Sequence, residues 1–526
     1  MDKEKELIDY LKTKEKIVLY GAGLIGGLVK SRIDSNHLGE RILCFAKTTV
    51  DESETYMGIN VQGLDFLDEE DREMCICVCA LSATREEMVR ELDKRGFDSY
   101  VTVSEKMISD MEERYLEEQR ELRQCMKFEQ FDIVCFSQDN NATSGAFISM
   151  AGLCDEIQRK SGLRILVVLP RYGDGESLLQ EYQIEYTYVF RKTAWIQARA
   201  DKNDPHKNDL TEQNDESEEY SFYDREEIDF LRGLFTNVAP KLVHMSGVFV
   251  FAGAIAAERE KIPVIWHIRE NIATQGNCFI NEKASYKLLN ASDAVICVSK
   301  HAQKAYPGLD DRVVRIIYNG ADDQKFYQKR AIFQKQICRI VMVGHITHLK
   351  GQDVLIRALI HMKEVNAELP IVTLVGGGES GYLNALRQKV SKSGLKPFVL
   401  FAGRTTHPER YYQDADIAVS ATSGGEGFDR VRIEAMLSGC LLLANDNGAA
   451  REIVQDGKTG YLYQTGDAAS LAQVIIKSMQ AKKESREIAA QGQNLCMERF
   501  TKRHNAEQVL KLYKEILEKN HGRITV

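Results

Sequence analysis

Short aliphatic runs that stop at glycine-bearing loops, each followed by a segment of helical spacing, recur along the 526 residues. K-I-V-L-Y (16–20) leads into G-A-G-L-I-G (21–26), and F-D-I-V-C-F (131–136) into N-N-A-T-S-G-A (140–146). R-I-V-M-V-G (339–344) leads into H-I-T-H-L-K-G (345–351), and I-V-T-L-V (371–375) into G-G-G (376–378). Strands that are apolar throughout and alternate with helices belong in parallel sheets covered on both faces. Loops at the carboxyl ends of such strands share one edge, where open α/β folds bind their ligands. The pattern predicts an α/β protein and excludes all-β, all-helical and fibrous chains.

The chain is too long for one core, and the rhythm divides it. A small Rossmann-like α/β domain is predicted over 1–105 and a connecting helix over 106–128, where Ile108, Met111, Tyr115, Leu122 and Cys125 recur at helical spacing. A second α/β domain is predicted over 129–330, a third over 331–498, and a terminal helix and tail over 499–526. Residues 201–227, dense in Asp, Glu, Asn and Lys, interrupt the second domain and read as a mobile acidic insertion.

Composition narrows the function classes. Lys plus Arg is 69 against 78 for Asp plus Glu, a net charge of -9, which argues against a dedicated nucleic-acid binder. No apolar run approaches the ~20 residues of a membrane span, and the charged start M-D-K-E-K-E lacks a signal core. Cys75, Cys77 and Cys79 alternate along one strand and read as buried thiols, which suits a reducing cytoplasm. His301, His345, His348 and His407 have no ligand spacing, so no metal is expected. Lys300, Lys304, Arg312 and Arg315 offer a local basic patch to a membrane face, with a plain solvated face as the favoured alternative reading.

The most specific block is S-G-G-E-G-F-D-R-V-R-I-E-A-M (423–436), with Glu426 and Glu434 eight positions apart. Its helix start offers backbone N–H groups between Phe428 and Val431, suited to a diphosphate. Lys350 supplies a point charge for phosphate oxygens. Gly377 and Gly378 let a nucleotide approach the backbone.

With T-S-G-A (143–146), V-I-W-H-I-R-E (264–270), I-C-V-S-K (296–300), I-Y-N-G-A-D (317–322) and F-A-G (401–403), these stretches run in the order of a GT-B glycosyltransferase. Residues from about 129 to 520 resemble glycosyltransferase family 4. The resemblance implies two facing Rossmann-like domains, a nucleoside-diphosphate-sugar in the cleft between them, retention of anomeric configuration, and no essential metal or cofactor. Carried over, Glu426 contacts donor-sugar hydroxyls, Glu434 holds the ribose, and Lys350 neutralises the leaving diphosphate. Gly427, Phe428, Asp429 and Arg430 form the donor-binding turn, and Gly145 leaves room for phosphate on the facing domain. His267 sits near the reacting sugar, supported by Arg269 and Glu270. Two positions depart from the family: His345 stands where Arg is usual, and Asp429 where Gly is usual. Arg404 or Arg430 then shares the grip on the donor.

In the first domain Gly21, Gly23 and Gly26 fit G-x-G-x-x-G and are candidate dinucleotide-binding positions. The acidic residue expected after the second strand is absent, since Lys47 stands there and Asp51 and Glu52 come later. A structural or partner-binding role for this domain stays open. The expectation for the whole chain is a cytoplasmic retaining hexosyltransferase that serves a glycan or lipid-linked acceptor in polysaccharide or glycoconjugate synthesis, with peripheral contact at the inner membrane face left open. Two rival readings are a non-catalytic GT-B partner subunit and an NAD-dependent oxidoreductase working through the first domain.

Overall fold

The computed structural model describes residues 3–48, 54–69, 74–124, 130–189, 196–198, 224–248, 251–272, 277–378, 380–424 and 426–521. Within them the aliphatic runs form three large sheets, beside a two-stranded antiparallel pair of Ile196–Ala198 with Asn277–Phe279. The first has strand order Glu54–Tyr56, Ile59–Gly63, Ile42–Lys47, Ile17–Tyr20, Cys75–Val78, Tyr100–Thr102. It is parallel except for the antiparallel hairpin that turns at Met57 and Gly58, both at positive φ. The second sheet runs Val314–Ile316, Ala294–Cys297, Val264–Ile268, Leu242–Ser246, Ile133–Ser137, Ile165–Leu169, Glu185–Tyr188, parallel throughout. The third runs Val399–Gly403, Ile371–Val375, Arg339–Val343, Ile417–Ser420, Leu441–Asn445, Tyr461–Tyr463, also parallel. The predicted α/β class with parallel sheets is what the chain adopts.

Several details differ from the sequence expectation. The helix expected over 106–128 spans Glu105–Gln124 among the described residues. It is not a bare connector: Met111 is buried in the core of the first sheet and Leu116 in that of the second. Of the expected acidic insertion, residues 201–223 lie outside the described residues. Arg225–Glu227 already belong to the helix Arg225–Val238, whose first N–H groups bond the Asp224 carboxylate. Asp51, Glu52 and Cys125 also lie outside. Among the described residues no helix is long and apolar enough to cross a membrane. Among the described residues eleven cysteines are free thiols, and three of them, Cys75, Cys77 and Cys79, are buried together in one core.

The terminal helix Lys502–His521 leaves the third sheet's helices and returns to the second sheet. There Ala506, Val509, Leu512 and Tyr513 join the core beside the helix Gly145–Ser161. The return is fixed by two backbone bonds, Ala321 N–H to the Phe500 carbonyl (2.9 Å) and Lys502 N–H to the Ala321 carbonyl (2.8 Å). Gly320 has no alternative here, because a Cβ would lie 2.2 Å from the Thr501 carbonyl oxygen. The Lys502 ammonium is buried 3.0 Å from Asp322, 3.5 Å from Asp155 and 3.6 Å from Glu156. Removing a buried cation from its carboxylates costs about 3 kcal/mol. Lys502→Met is therefore expected to lower the thermal midpoint clearly in a calorimetric scan. An unchanged midpoint would contradict this role.

Candidate functional site

The sequence-predicted residues of the third sheet meet at its carboxyl edge. Lys350 lies in the one-turn helix His348–Lys350, just before Gly351, whose φ of 76° and close approach to the Ala421 carbonyl (2.3 Å from a Cβ) exclude other residues. Its ammonium donates to Glu426. Burial opposes the Lys350 charge, but Asp429 and Glu426 outweigh it and raise its pKa. Burial and Asp429 together raise that of Glu426 against the pull of Lys350.

The helix Arg430–Leu437 begins behind Glu426 with Asp429 as its N-cap. Asp429 has a φ of -83°, so the backbone here does not need glycine. Its side chain does not cap the helix; it accepts from Ser420 Oγ (2.7 Å) and ion-pairs with Arg432 at 3.3 Å. The carboxylate is thus turned into the domain, and burial is outweighed by Lys350 and Arg432, which lower its pKa. Phe428 is buried, its ring 5.9 Å from those of Tyr318 and Phe500.

Glu434 follows one turn into the helix and accepts from Arg430 at 2.9 Å. Burial raises its pKa despite that partner. Arg430 also reaches the facing domain, donating to the Gly145 carbonyl at 3.1 Å. Its buried Nε has no hydrogen-bond partner. Gly145 opens the helix Gly145–Ser161, capped by Ser144, and a Cβ there would touch only Arg430 Cδ at 3.9 Å.

The loops at 344–347 and 376–378 zip together through Ile346 N–H to the Gly377 carbonyl (2.7 Å). A Cβ on Gly378 would lie 2.5 Å from the Ile346 carbonyl, so this glycine serves backbone packing. Gly377 instead faces Arg404, 3.5 Å from its Cβ. His345 is exposed, and its carbonyl accepts from Gln352 at 3.1 Å.

Three contacts missed in the sequence close the two domains on each other. Ser299 Oγ donates to the Gly427 carbonyl at 2.5 Å, while Gly427 also lies against the Arg269 carbonyl. Arg404 donates to Thr143 (3.1 Å) and to Asp174 (3.4 Å). Asp174 belongs to Y-G-D-G (172–175), another glycine loop after a strand, which is the signal that marked the other loops.

His267 is wholly buried. Alternation along Val264–Ile268 puts Trp266 on one face and turns His267 to the other, toward the layer that holds Tyr513. Its ring lies 5.3 Å from that of His244, whose Nδ1 is 2.5 Å from Tyr513 OH. Arg269 has no acceptor atom, so its 3.3 Å contact with His267 Nδ1 makes that nitrogen the acceptor and puts the proton on Nε2. Burial and then Arg269 hold His267 neutral, far below its usual pKa. Arg269 is itself locked by Ser246 (3.2 Å) and Asn319 (2.5 Å). The first domain's glycines are set by packing: a Cβ on Gly21 would meet the Cys79 carbonyl at 2.5 Å, and one on Gly26 the Gly21 carbonyl at 2.0 Å. Of the three glycines in G-x-G-x-x-G, only Gly23 faces open space. Of the basic residues at 300–315, Arg312 is held by Asp310. No group of three or more metal-ligating side chains occurs among the described residues.

Facing parallel-sheet domains with carboxylates, cations and a helix start at their common edge define a class, the GT-B fold. Residues 338–481 match the family described as "Glycosyl transferases group 1". The chain is 26% identical over 252 residues to alpha-maltose-1-phosphate synthase of Mycolicibacterium smegmatis, covering 43% of this chain and 64% of that one. It is 27% identical over 192 residues to the putative glycosyltransferase EpsD of Bacillus subtilis, covering 36% and 49%. The chain thus spans about half to two thirds of these relatives' length. Among solved structures, Anabaena Alr3699/HepE in complex with UDP aligns at a TM-score of 0.59 and 20% identity, over 73% of this chain and all of that one. The same protein is also known in complex with UDP-glucose. This likeness is one of fold.

Glu270 generates a pH prediction. Its carboxylate is buried, and burial pushes its pKa up to about 7 from the usual 4.5, with Arg269 and the Gln138 side chain offsetting only part. The folded state then holds a proton the unfolded state has lost, so the stability tied to this group is complete below pH 4.5 and falls as pH rises to about 7. Glu270→Gln is expected to remove that fall, so the variant gains thermal midpoint over the unaltered protein between those pH values. Parallel midpoint–pH curves for the two proteins would refute the assignment.

Proposed function

We propose that this chain is a retaining glycosyltransferase that moves a sugar from a nucleoside-diphosphate-sugar to a hydroxyl of a glycan or lipid-linked acceptor. The observation that carries the reading is the paired arrangement of Lys350 with Glu426 and Arg430 with Glu434 at one sheet edge, with Arg430 touching Gly145 on the facing domain. The match of residues 338–481 and the UDP-bound structural neighbour support it.

Breaking the bond between sugar and diphosphate leaves negative charge on the diphosphate, and fixed donors aimed at that charge lower the barrier. Lys350, the unpartnered Nε of Arg430 and the first N–H groups of Arg430–Leu437 are such donors. Glu426 accepts hydrogen bonds from donor-sugar hydroxyls, and Glu434 does so from the ribose. Gly427, Phe428 and Asp429 shape the turn, and Gly377 admits the nucleotide beside Arg404. His267 acts from below the cleft, through its contact with Arg269. The chemistry uses no metal and no redox cofactor. The free thiols favour a cytoplasmic setting, with the membrane face as the meeting point for a lipid-linked acceptor.

Glu426→Gln is expected to lower kcat by about 100-fold or more in a sugar-nucleotide turnover assay, and chelation with EDTA to leave the rate unchanged. Wild-type turnover by the variant would refute the role of Glu426. Loss of activity in EDTA would refute the metal-free mechanism.

A further inference from the structure

The first α/β domain does not hang from a linker. Tyr172, which belongs to the loop after strand Ile165–Leu169 in the second domain, is buried in the first domain's core beside Leu28, Val29 and Met111. Its ring stands edge-on to Tyr115 at 4.7 Å. Its hydroxyl lies 3.9 Å from Met57 Sδ at the tip of the Tyr56–Ile59 turn. A Cβ on Gly27, in the first domain's helix Leu24–Ser35, would come within 2.7 Å of Tyr172 OH, 2.9 Å of Tyr56 OH and 3.0 Å of Met57 Sδ. A side chain at this position would have to displace the ends of Tyr172, Tyr56 and Met57 that meet here.

Two residues beyond Tyr172, the Asp174 carboxylate accepts from Ala142 N–H at 2.8 Å and from Arg404 at 3.4 Å. Arg404 also bonds Thr143, beside Gly145. A loop gripped at one end by the first domain thus holds, at its other end, both walls of the cleft. We infer that the first domain is a fixed third wall of the donor site: by seating Tyr172 it sets the position of Asp174, and Asp174 aims Arg404 at the donor diphosphate. Tyr172 and Asp174 are positioning residues, and the inference rests on the function proposed above.

The test wedges the seat open from the far side. Gly27→Ala puts a methyl group against Tyr172 inside a helix that tolerates alanine well. It is expected to weaken UDP binding, measured calorimetrically, by about 3- to 10-fold, the span of a partly exposed ion pair. Asp174→Asn, which keeps the shape and removes the charge, is expected to match it, and the double variant to be no weaker than either single one because both act through Arg404. Gly233→Ala, whose methyl meets nothing within 4 Å, is the control expected to leave binding unchanged. If Gly27→Ala fails to fold, Asp174→Asn and its pairing with Arg404→Ala decide the matter. Unchanged UDP affinity in folded Gly27→Ala or Asp174→Asn, or additive losses in the double variant, overturns the inference alone. Failure of the unaltered protein to bind UDP or any other nucleoside diphosphate overturns the proposed function and this inference together.

Discussion

The cleft exists because the chain crosses between the second and third domains twice and ties the crossings together. Ala321 exchanges backbone hydrogen bonds with Phe500 and Lys502, and the Lys502 ammonium is buried among carboxylates from the helix Gly145–Ser161 and from the linker. A buried cation with three acidic neighbours is costly to desolvate and more costly to separate from them. The two sheets therefore cannot drift apart at this point without exposing unmatched charge. The strand-end loops of one sheet therefore stay opposed to those of the other. The same helix that begins at Lys502 carries Tyr513 to His244, placing a residue near the end of the chain under the strand that bears His267 and Arg269.

Charge at the cleft follows from that opposition. Lys350 is matched by Glu426, Arg430 by Glu434, Arg432 by Asp429 and Arg404 by Asp174. These pairs are not equivalent. Arg432 and Asp429 face into the domain with Ser420 and Asn445 and stiffen the turn. The other three line the edge, and each can give up part of its pairing to an anionic ligand. A net charge of -9 for the whole chain therefore says little about the potential in the cleft.

The interior strands were legible in the sequence because they are apolar on both faces, as in Ile133–Ser137 and Leu441–Asn445. Of the edge strands, Val314–Ile316 and Val399–Gly403 were legible too, but others were not. Glu185–Tyr188 and Tyr461–Tyr463 are short, and the Tyr56–Ile59 turn relies on a positive φ at Met57, which no residue preference announces. The third domain's side of the site was legible for a local reason, since Lys350, Gly377, Glu426 and Glu434 sit in or just behind loops that follow apolar runs. Contacts made across more than 200 residues, such as those of Arg404 with Thr143 and Asp174, leave no local trace. His267 shows the limit from the other side. Alternation tells that it opposes Trp266, but which face of a strand looks toward a cleft is decided by the helices laid over it.

The two departures from the family pattern have different weights in this light. Asp429 turns its carboxylate onto Ser420 and Arg432, yet its charge still acts at the edge, where it raises the pKa of Glu426 and sustains the charge of Lys350. His345 is the real subtraction, an exposed imidazole where a permanent cation is usual. On the proposed function, the missing charge comes from elsewhere on the same edge. Arg404 qualifies, lying beside Gly377 on the adjacent loop, but it is more than half exposed and would wander without an anchor. Asp174 is that anchor, and Asp174 is only as steady as the loop it sits on, whose far end is locked in the first domain's core by Tyr172. On the function proposed here, a chain without a cation at 345 has a use for the additional domain packed beside its cleft.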